Sequence, residues 1–285
     1  MATSTVLPTS VGRVPIAVYG CGTVFKIDTA GNETVLHSFV GGTSDGCGPL
    51  QGLWDEAGTL YGTTYGCGTL GYGTIFKIDR AGNFTLLHSF AGSDGAYPEY
   101  GHLRMDNSGN LYGVTHSGGL VEGVLYRLSK NGTLTVLHSF GRGTDGCGPA
   151  GSVTLDEFGN LYGTTTSCGS DNAAGTIWKA TKKGRETILH NFVGVAGGGV
   201  PWAGVARDPQ GNLYGVTYGG GVDYGGVVYE LSKNGTYTVL HTFGANGNPM
   251  GELWRTADDT LLGTTQYGGT GDCGYGCGIV WSYVP

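Results

Sequence analysis

Four residues carry the side chains of an acid–base site, and they are His102, Arg104, His116 and Glu252. An imidazole exchanges protons near neutral pH, a carboxyl group donates or orients a proton, and a guanidinium holds an oxyanion or carboxylate. In an enzyme, either histidine would be the general base, Glu252 the acid or orienting group, and Arg104 the clamp. No nucleophile elbow, phosphate loop or zinc motif accompanies them.

A second hypothesis assigns binding rather than catalysis to the chain. Aromatic rings offer stacking faces and glutamines offer donors and acceptors, as in sites for sugars. The candidate ligand-binding residues are Gln51, Tyr65, Tyr97, Tyr100, Trp202, Tyr218, Trp254 and Gln266. Binding of a small molecule or glycan is slightly favoured over a lyase, hydrolase or isomerase activity. The third alternative is a polar, wet surface without function.

All these residues lie within a tandem repeat that must position them. The motif Leu-Tyr-Gly recurs at 60–62, 111–113, 161–163 and 213–215, and as Leu-Leu-Gly at 261–263. Each period of about fifty residues holds four short runs rich in Val, Ile, Thr and aromatics, here named a to d. Repeats of this length with four strands predict an all-β fold, a β-propeller of four-stranded antiparallel blades.

The turns predict which face of the propeller carries function. The a–b and c–d turns are short and rich in Asp, Asn and Gly, whereas the d–a and b–c loops are long and variable. Alternate turns of a meander lie on opposite faces, so the variable loops share one face, where binding sites are expected.

The strand count favours six blades over five in one domain spanning 1–285. Repeats begin near 50, 100, 150, 203 and 251, and a partial repeat occupies 14–49. The last repeat ends after run c, and residues 4–9 resemble run d, so we expect the N-terminal segment to close the ring.

Aligning the repeats separates shared positions from singular ones. Strand a is innermost in a propeller, and its start should ring a central funnel on the variable-loop face. That column reads Gln51, His102, Ser152, Gly204 and Glu252. Two residues later the same face reads Leu53, Arg104, Thr154, Ala206 and Trp254. A further ring after strand b reads Tyr65, His116, Thr166, Tyr218 and Gln266.

Residues that recur in every repeat are interpreted as structural. A histidine holds the same place in each run d, and we expect it to make a hydrogen bond. These histidines are His37, His88, His138, His190 and His241. The aspartate after strand a, as in Asp106, is expected to cap the turn.

The cysteines predict disulfides on the variable-loop face. Cys47 and Cys147 occupy equivalent d–a loops, and Cys67 and Cys168 follow in the b–c loops of the same repeats. Because repeats lacking one member also lack the other, we expect the pairs Cys47–Cys67 and Cys147–Cys168. Cys273 and Cys277 form a third candidate pair, which leaves Cys21 over. No cofactor and no metal site are expected, because no loop pairs cysteine with histidine at zinc-ligand spacing.

Composition excludes several partners. The net charge is −7 without a basic run, which argues against nucleic acid, and no apolar run reaches transmembrane length. Residues 1–13 contain no apolar core of a signal peptide. We nevertheless expect a monomeric, secreted or extracytoplasmic protein because of the predicted disulfides.

The runs LYGTT (60–64), GTVFKID (22–28), GNETVLHSF (31–39) and DGCGP (45–49) form a specific tandem pattern. The chain resembles the GloVer (Gloeobacter/Verrucomicrobia-type) tandem-repeat proteins over residues 20–284. The resemblance implies a propeller-like, extracytoplasmic protein and supplies no catalytic residues.

Overall fold

The computed structural model describes residues 21–285 except 51, 142, 171, 172, 246, 271, 273 and 275. The segments 4–9 and 15–20, Gln51 and Cys273 therefore lie outside the described residues. The described chain is all-β apart from two short 3-10 helices, Val195–Gly197 and Val222–Tyr224. Neither helix has the length or apolarity needed to cross a bilayer.

The repeats fold into successive antiparallel sheets, numbered 1 to 6 here, whose strands follow chain order a to d. Sheet 1 contains Thr23–Ile27 and Glu33–Ser38. Sheet 2 contains Trp54–Glu56, Thr59–Thr64, Thr74–Ile78 and Phe84–Ser89. Sheet 3 contains Arg104–Met105, Leu111–Thr115, Val124–Leu128 and Leu134–Ser139.

The remaining sheets continue this order, which confirms the prediction of four-stranded antiparallel units. Sheet 4 contains Cys147–Leu155, Leu161–Ser167, Thr176–Ala180 and Glu186–Asn191. Sheet 5 contains Ala206–Arg207, Leu213–Thr217, Val227–Leu231 and Tyr237–Thr242. Sheet 6 has three described strands, Trp254–Arg255, Leu261–Thr264 and Val280–Tyr283. A separate pair joins Gly46–Cys47 to Gly66–Cys67.

The Leu-Tyr-Gly motif has a distinct role for each residue, as sheet 3 illustrates. Leu111 is buried in the core, and the Tyr112 hydroxyl donates to Asp106 Oδ2 at 3.0 Å. Gly113 pairs with Tyr126 of strand c. A Cβ on Gly113 would lie 2.5 Å from the Tyr126 hydroxyl oxygen, so only glycine leaves room for that ring.

The hydrophobic core lies between neighbouring sheets rather than at one centre. One cluster joins Tyr112 and Phe140 of sheet 3 to Val153 and Trp178 of sheet 4. The next joins Ile177 and Phe192 of sheet 4 to residues of sheet 5. Each sheet therefore buries its faces against the sheets before and after it, as in stacked-repeat architectures.

A residue in the left-handed backbone region followed by proline lies before strand a in sheets 2, 3, 5 and 6, and within the first strand, Cys147–Leu155, in sheet 4. We call this pair the pre-proline clasp. Its first residues are Gly48, Tyr97, Gly148, Val200 and Asn248, with φ of 69°, 56°, 60°, 56° and 50°. Each donates its N–H to a carbonyl of the preceding sheet at 2.6–2.9 Å. These carbonyls belong to Cys21, Tyr72, Glu122, Ala174 and Gly225.

The clasp also bonds to the end of strand b in its own sheet, and its proline packs on a glycine of the preceding sheet. Its carbonyl accepts the N–H of the residue after strand b, as in Tyr65 to Gly48 at 2.9 Å and His116 to Tyr97 at 3.2 Å. The prolines pack on glycines of the preceding sheet. A Cβ on Gly22, Gly73, Gly123, Gly175 or Gly226 would lie 2.6–2.9 Å from the proline Cδ.

The predicted turn role of the repeat aspartate is confirmed. Asp106 Oδ1 accepts the backbone N–H groups of Ser108 and Asn110, both at 2.9 Å. Asp106 Oδ2 accepts from the Asn110 side chain at 2.8 Å. Burial opposes ionisation, but these bonds to the carboxylate prevail and lower the pKa of Asp106.

The repeat histidines agree with prediction in three sheets and differ in a fourth. His37, His88 and His138 lie 3.2, 2.9 and 3.0 Å from the carboxylates of Asp45, Asp94 and Asp145. His190 Nε2 is buried without a hydrogen-bond partner. The prediction is wrong for His190 because Gly197 stands where the loops after His37, His88 and His138 have aspartate, and burial lowers the pKa of His190 to about 4.

The pairing in sheet 2 corrects one alignment. Trp54 pairs with Tyr61 as Arg104 pairs with Tyr112, so Trp54, and not Leu53, shares the column of Arg104. The a–b turn of sheet 2 is a tight hairpin at Ala57 and Gly58, both with positive φ, in which Asp55 Oδ1 accepts the Gly58 N–H at 2.6 Å. The same shift puts Gly52 in the column of His102.

Two of the predicted disulfides are confirmed, Cys47–Cys67 and Cys147–Cys168. Cys277 is disulfide-bonded, and its predicted partner Cys273 lies outside the described residues. Cys21 is a free thiol, with its sulfur within 4.8 Å of those of Cys47 and Cys67.

We predict that Val200→Asn raises the free energy of unfolding by about 1 kcal/mol, because a β-branched residue is strained at positive φ and asparagine tolerates it. The reciprocal change Asn248→Val should lower it by at least as much, since the Asn248 side chain also donates to the Tyr218 carbonyl at 2.8 Å. Urea denaturation measures both. A loss of stability in Val200→Asn would contradict the strain argument.

Removing either disulfide by double substitution to alanine should lower the free energy of unfolding by about 3 kcal/mol, because each closes a loop of about twenty residues in the unfolded chain. Thermal unfolding with and without reductant tests this. Cys21→Ala is the matched control and should change stability little. Free thiols at Cys47 and Cys67 under oxidising conditions would refute the pairing.

Candidate functional site

The predicted innermost column converges in the structure. The His102 backbone N–H donates to Ser152 Oγ at 2.7 Å. The Ser152 N–H donates to Glu252 Oε1 at 2.6 Å, and the Gly204 N–H reaches the same oxygen at 3.4 Å. Glu252 of sheet 6 thus holds backbone groups of sheets 4 and 5, and its carboxylate stabilises the ring as well as offering an acid.

The strand starts of sheets 3, 4 and 5 pack backbone against backbone at this level. A Cβ on Gly101 would lie 2.2 Å from the Gly151 carbonyl oxygen. A Cβ on Gly151 would lie 1.9 Å from the Gly204 nitrogen. On this side of the ring there is no room for a methyl group, so a ligand would bind above it, towards the loops.

His102 and Arg104, the two basic residues near the start of strand a in sheet 3, contact residues of sheet 2. The His102 ring packs on Gly52, where a Cβ would lie 2.6 Å from Cε1, and its Nδ1 is buried without a partner. The Arg104 guanidinium lies 5.0 Å from the centroid of the Trp54 ring. Burial lowers the pKa of Arg104. The negative charge of Glu252 opposes that shift, so the two side chains interact electrostatically.

Several predicted binding residues form one contact network on the variable-loop face, which we call the aromatic cluster. Its members are Tyr65, Tyr97, Glu99, Tyr100, His116 and Trp202. Tyr65 stacks on Tyr97 with centroids 4.9 Å apart. Tyr100 lies 4.7 Å from Trp202, and His116 is nearly parallel to Trp202 at 5.8 Å.

A carboxyl group and an imidazole lie within the cluster. Glu99 Oε1 is 3.9 Å from His116 Nδ1. Burial raises the pKa of Glu99, although its hydrogen bond with Tyr100 works against the shift. Burial lowers the pKa of His116, and Glu122 opposes this. The environment favours the neutral form of both groups, which suits an acid paired with a base.

Small residues between the contributing loops allow the cluster to assemble. Tyr100 precedes strand a of sheet 3, and Trp202 precedes strand a of sheet 5. The equivalent segment of sheet 4, which lies between them, has only the small residues Gly148, Ala150 and Gly151 at these positions. A Cβ on Gly148 would lie 2.9 Å from His116 Nε2. The rings from sheets 3 and 5 therefore meet across sheet 4.

Other predicted residues lie outside this network. Tyr218 and Gln266 occupy the position of His116 in sheets 5 and 6, as their N–H bonds to the clasp residues Val200 and Asn248 show. Trp254 is 71% exposed and has no described contact with the cluster. Gln51 lies outside the described residues.

Three contributing residues were not singled out by the sequence as site residues: Glu99, Ser152 and Trp54. Glu99 breaks the repeat because the d–a loop of sheet 3 is one residue longer between proline and leucine than the other loops, a length difference visible in the sequence. The repeat places Ser152 in the same column as His102 and Glu252, but its hydrogen bonds to both are seen only in the structure. Trp54 falls in the wrong column when the repeats are aligned by sequence, because the tight hairpin of sheet 2 shifts it by one position.

Grooves also open on the opposite face, between the a–b turns of adjacent sheets. One of them, a groove of about 350 Å³ between sheets 4 and 5, is lined in part by the repeat residues Asp156 and Asn160. Asp156 and Asn160 have equivalents as turn caps in sheets 3 and 5, so these two residues carry no chemistry singular to one repeat.

Comparison with known proteins supports the fold. A gluconolactonase from Xanthomonas campestris has a TM-score of 0.55 at 16% identity, covering 92% of this chain and 79% of its own. A luciferin-regenerating enzyme has a TM-score of 0.52 at 13% identity, covering 90% and 82%. PorZ of Porphyromonas gingivalis has a TM-score of 0.56 at 12% identity, covering 87% of this chain and 36% of PorZ.

These likenesses establish a propeller-like fold and no activity, because the identities are low. No curated protein sequence is significantly similar to the chain. The Gloeobacter/Verrucomicrobia repeat profile matches residues 15–208, which is more than half of the chain. The strands, the turn aspartates and the pre-proline clasps recur through the matched segment, and the chain belongs to the Gloeobacter/Verrucomicrobia repeat family.

Proposed function

We propose that the protein is an extracytoplasmic β-propeller that binds a small molecule or carbohydrate at the aromatic cluster. The observation that carries the proposal is the contact network of Tyr65, Tyr97, Glu99, Tyr100, His116 and Trp202. Its rings come from sheets 2, 3 and 5, and all except Tyr65, which Tyr218 matches in sheet 5, break the repeat. Residues that break a pattern without a packing reason are the usual place of function.

The chemistry of the cluster suits a polar ring with an apolar face. Tyr65 is 40% exposed, so its ring is open to a ligand. Stacking of aromatic rings against the C–H face of a sugar, with Glu99 and His116 as hydrogen-bonding groups, gives both contact area and orientation. The closed glycine packing below directs the ligand to this face rather than down the axis.

The ring itself is proposed to be six-bladed, one domain over 1–285. Sheets 1 to 6 follow the repeat, and sheet 6 has three described strands. Residues 4–9 would supply its fourth strand. The two disulfides support an oxidising compartment, since such bonds are rare in the cytosol of most organisms.

Substitution of Trp202 should abolish ligand binding while leaving the fold intact. Screening on a glycan array, followed by calorimetry with the best oligosaccharide, is expected to show binding by the wild type. Trp202→Ala and Tyr100→Ala should weaken it at least about tenfold, because each removes a stacking surface at the centre of the cluster.

Phe158→Ala is the matched control for that experiment. Phe158 is an aromatic side chain that is 74% exposed in an a–b turn, on the opposite face. Its removal should leave binding unchanged. Equal binding by wild type and Trp202→Ala would place the site elsewhere. The innermost ring of His102, Arg104 and Glu252 would then be the next candidate site.

An enzymatic alternative rests on the Glu99–His116 pair. A neutral His116 would take a proton and a protonated Glu99 would give one, as in hydrolase or lyase chemistry. Gluconolactone is a suitable first substrate to test, because one protein of this fold is a gluconolactonase. In the ring below, His102 as base and Arg104 as clamp complete the set of candidate catalytic residues.

If the pair is catalytic, activity should fall as the pH drops through the lowered pKa of His116, below its ordinary value of 6.5. The sign follows because protonation removes the base. Glu99→Gln and His116→Gln should each reduce kcat/KM by about 100-fold or more, with Gln266→Ala as control. An acid limb that persists in His116→Gln would contradict the assignment, and pH-stat titration of lactone hydrolysis measures it.

A further inference from the structure

The first position of strand d holds an unusual, partly buried side chain in sheet 4, Glu186. The first residue of strand d faces the repeat histidine of the preceding sheet. Phe84 stacks on His37 with centroids 4.0 Å apart, and Tyr237 stacks on His190 at 3.9 Å. Leu134 holds this position in sheet 3 and Glu186 in sheet 4. Glu186 is thus a partly buried carboxylate where sheets 2, 3 and 5 have Phe84, Leu134 and Tyr237, and the Glu33 of sheet 1 at this position is exposed.

Glu186 completes a group of three metal-binding side chains. Asp145 Oδ1 lies 3.0 Å from His138 Nε2. One ligand atom each from His138, Asp145 and Glu186 lies within 4.8 Å of the other two. Glu186 Oε1 is shielded from solvent and has no hydrogen-bond partner. Its close neighbour Asp145 carries a second carboxyl group, so two acidic side chains and one imidazole meet here.

We propose that His138, Asp145 and Glu186 bind a divalent transition-metal ion, Zn²⁺ in the first place, at the outer boundary of sheets 3 and 4. One imidazole nitrogen and two carboxylate oxygens make a three-ligand set that Zn²⁺ accepts, with water in the remaining position. Ca²⁺ fits less well because it takes six to eight oxygen ligands and no imidazole.

Electrostatics points to a cation at this place. A buried oxygen of a carboxylate costs free energy unless a donor or positive charge compensates it. Glu186 Oε1 is such an oxygen, because it is shielded from solvent and has neither a hydrogen-bond donor nor a cation beside it among the described residues. A metal ion would satisfy both carboxylates and His138 at once, and it would tie two neighbouring sheets together.

This site is separate from the aromatic cluster and does not depend on the proposed function. Its test is calorimetric titration of Zn²⁺ into the full-length protein after treatment with a chelator, near neutral pH. We expect one equivalent to bind and the melting temperature to rise with Zn²⁺ concentration, because the ion binds the folded state. Glu186→Leu, which copies the residue of sheet 3, should weaken binding at least about tenfold.

Two further variants keep the test decisive. Glu186→Gln preserves the size of the side chain, so it replaces Glu186→Leu if that variant does not fold. Leu134→Glu places a carboxylate opposite the His88–Asp94 pair, whose closest atoms are 2.9 Å apart, and should raise the stoichiometry from one to two. The proposal is overturned if the wild type does not bind Zn²⁺, or if the Glu186 variants bind it as the wild type does.

Discussion

The pre-proline clasp is the interaction on which the other features of this molecule depend. At one point it fixes a left-handed backbone, donates a hydrogen bond to the preceding sheet and accepts one from the end of strand b. The proline that follows fills the space left by a glycine of the preceding sheet. Spacing between sheets and direction of the loops are thus set by the same few atoms.

Function can vary on this frame because the clasp constrains only the backbone of its first residue. Gly48, Tyr97, Gly148, Val200 and Asn248 occupy the same conformation with different side chains. In sheet 3 the residue is Tyr97, which enters the aromatic cluster, and in sheet 4 it is Gly148, which leaves room for His116. The loop face can therefore change chemistry without a change of fold, at the cost of strain where the residue is β-branched.

Much of the fold could be predicted from the sequence because it is repeated. Five copies of the strand patterns identify the strands, and the paired gain and loss of Cys47 and Cys67 identifies a contact that one copy could not. Singular residues are harder. The column of Arg104 was misread in sheet 2 because a tight hairpin at Ala57 and Gly58 shifts Trp54 by one place. The repeat also hides the exception at His190, whose partner is lost because the loop that follows strand d has Gly197 in place of an aspartate.

For the candidate site, the sequence indicates the face and several residues, but not which of them meet. Tyr100, His116 and Trp202 come from three different loops, and their contact depends on the small residues of sheet 4 between them. Glu252 looks like an acid in sequence, whereas its carboxylate holds the backbone of Ser152. Such long-range relations depend on how sheets pack, which local periodicity does not encode.

The placement of the disulfides bears on the order of folding. Cys47–Cys67 and Cys147–Cys168 each join loops of a single sheet across about twenty residues, whereas the hydrophobic clusters need two sheets. Closing so short a segment is fast compared with docking of sheets. The cysteines of each pair can therefore meet within one repeat before its sheet has a packing partner. Two of the sheets would then enter assembly already covalently closed, and the others could assemble against them.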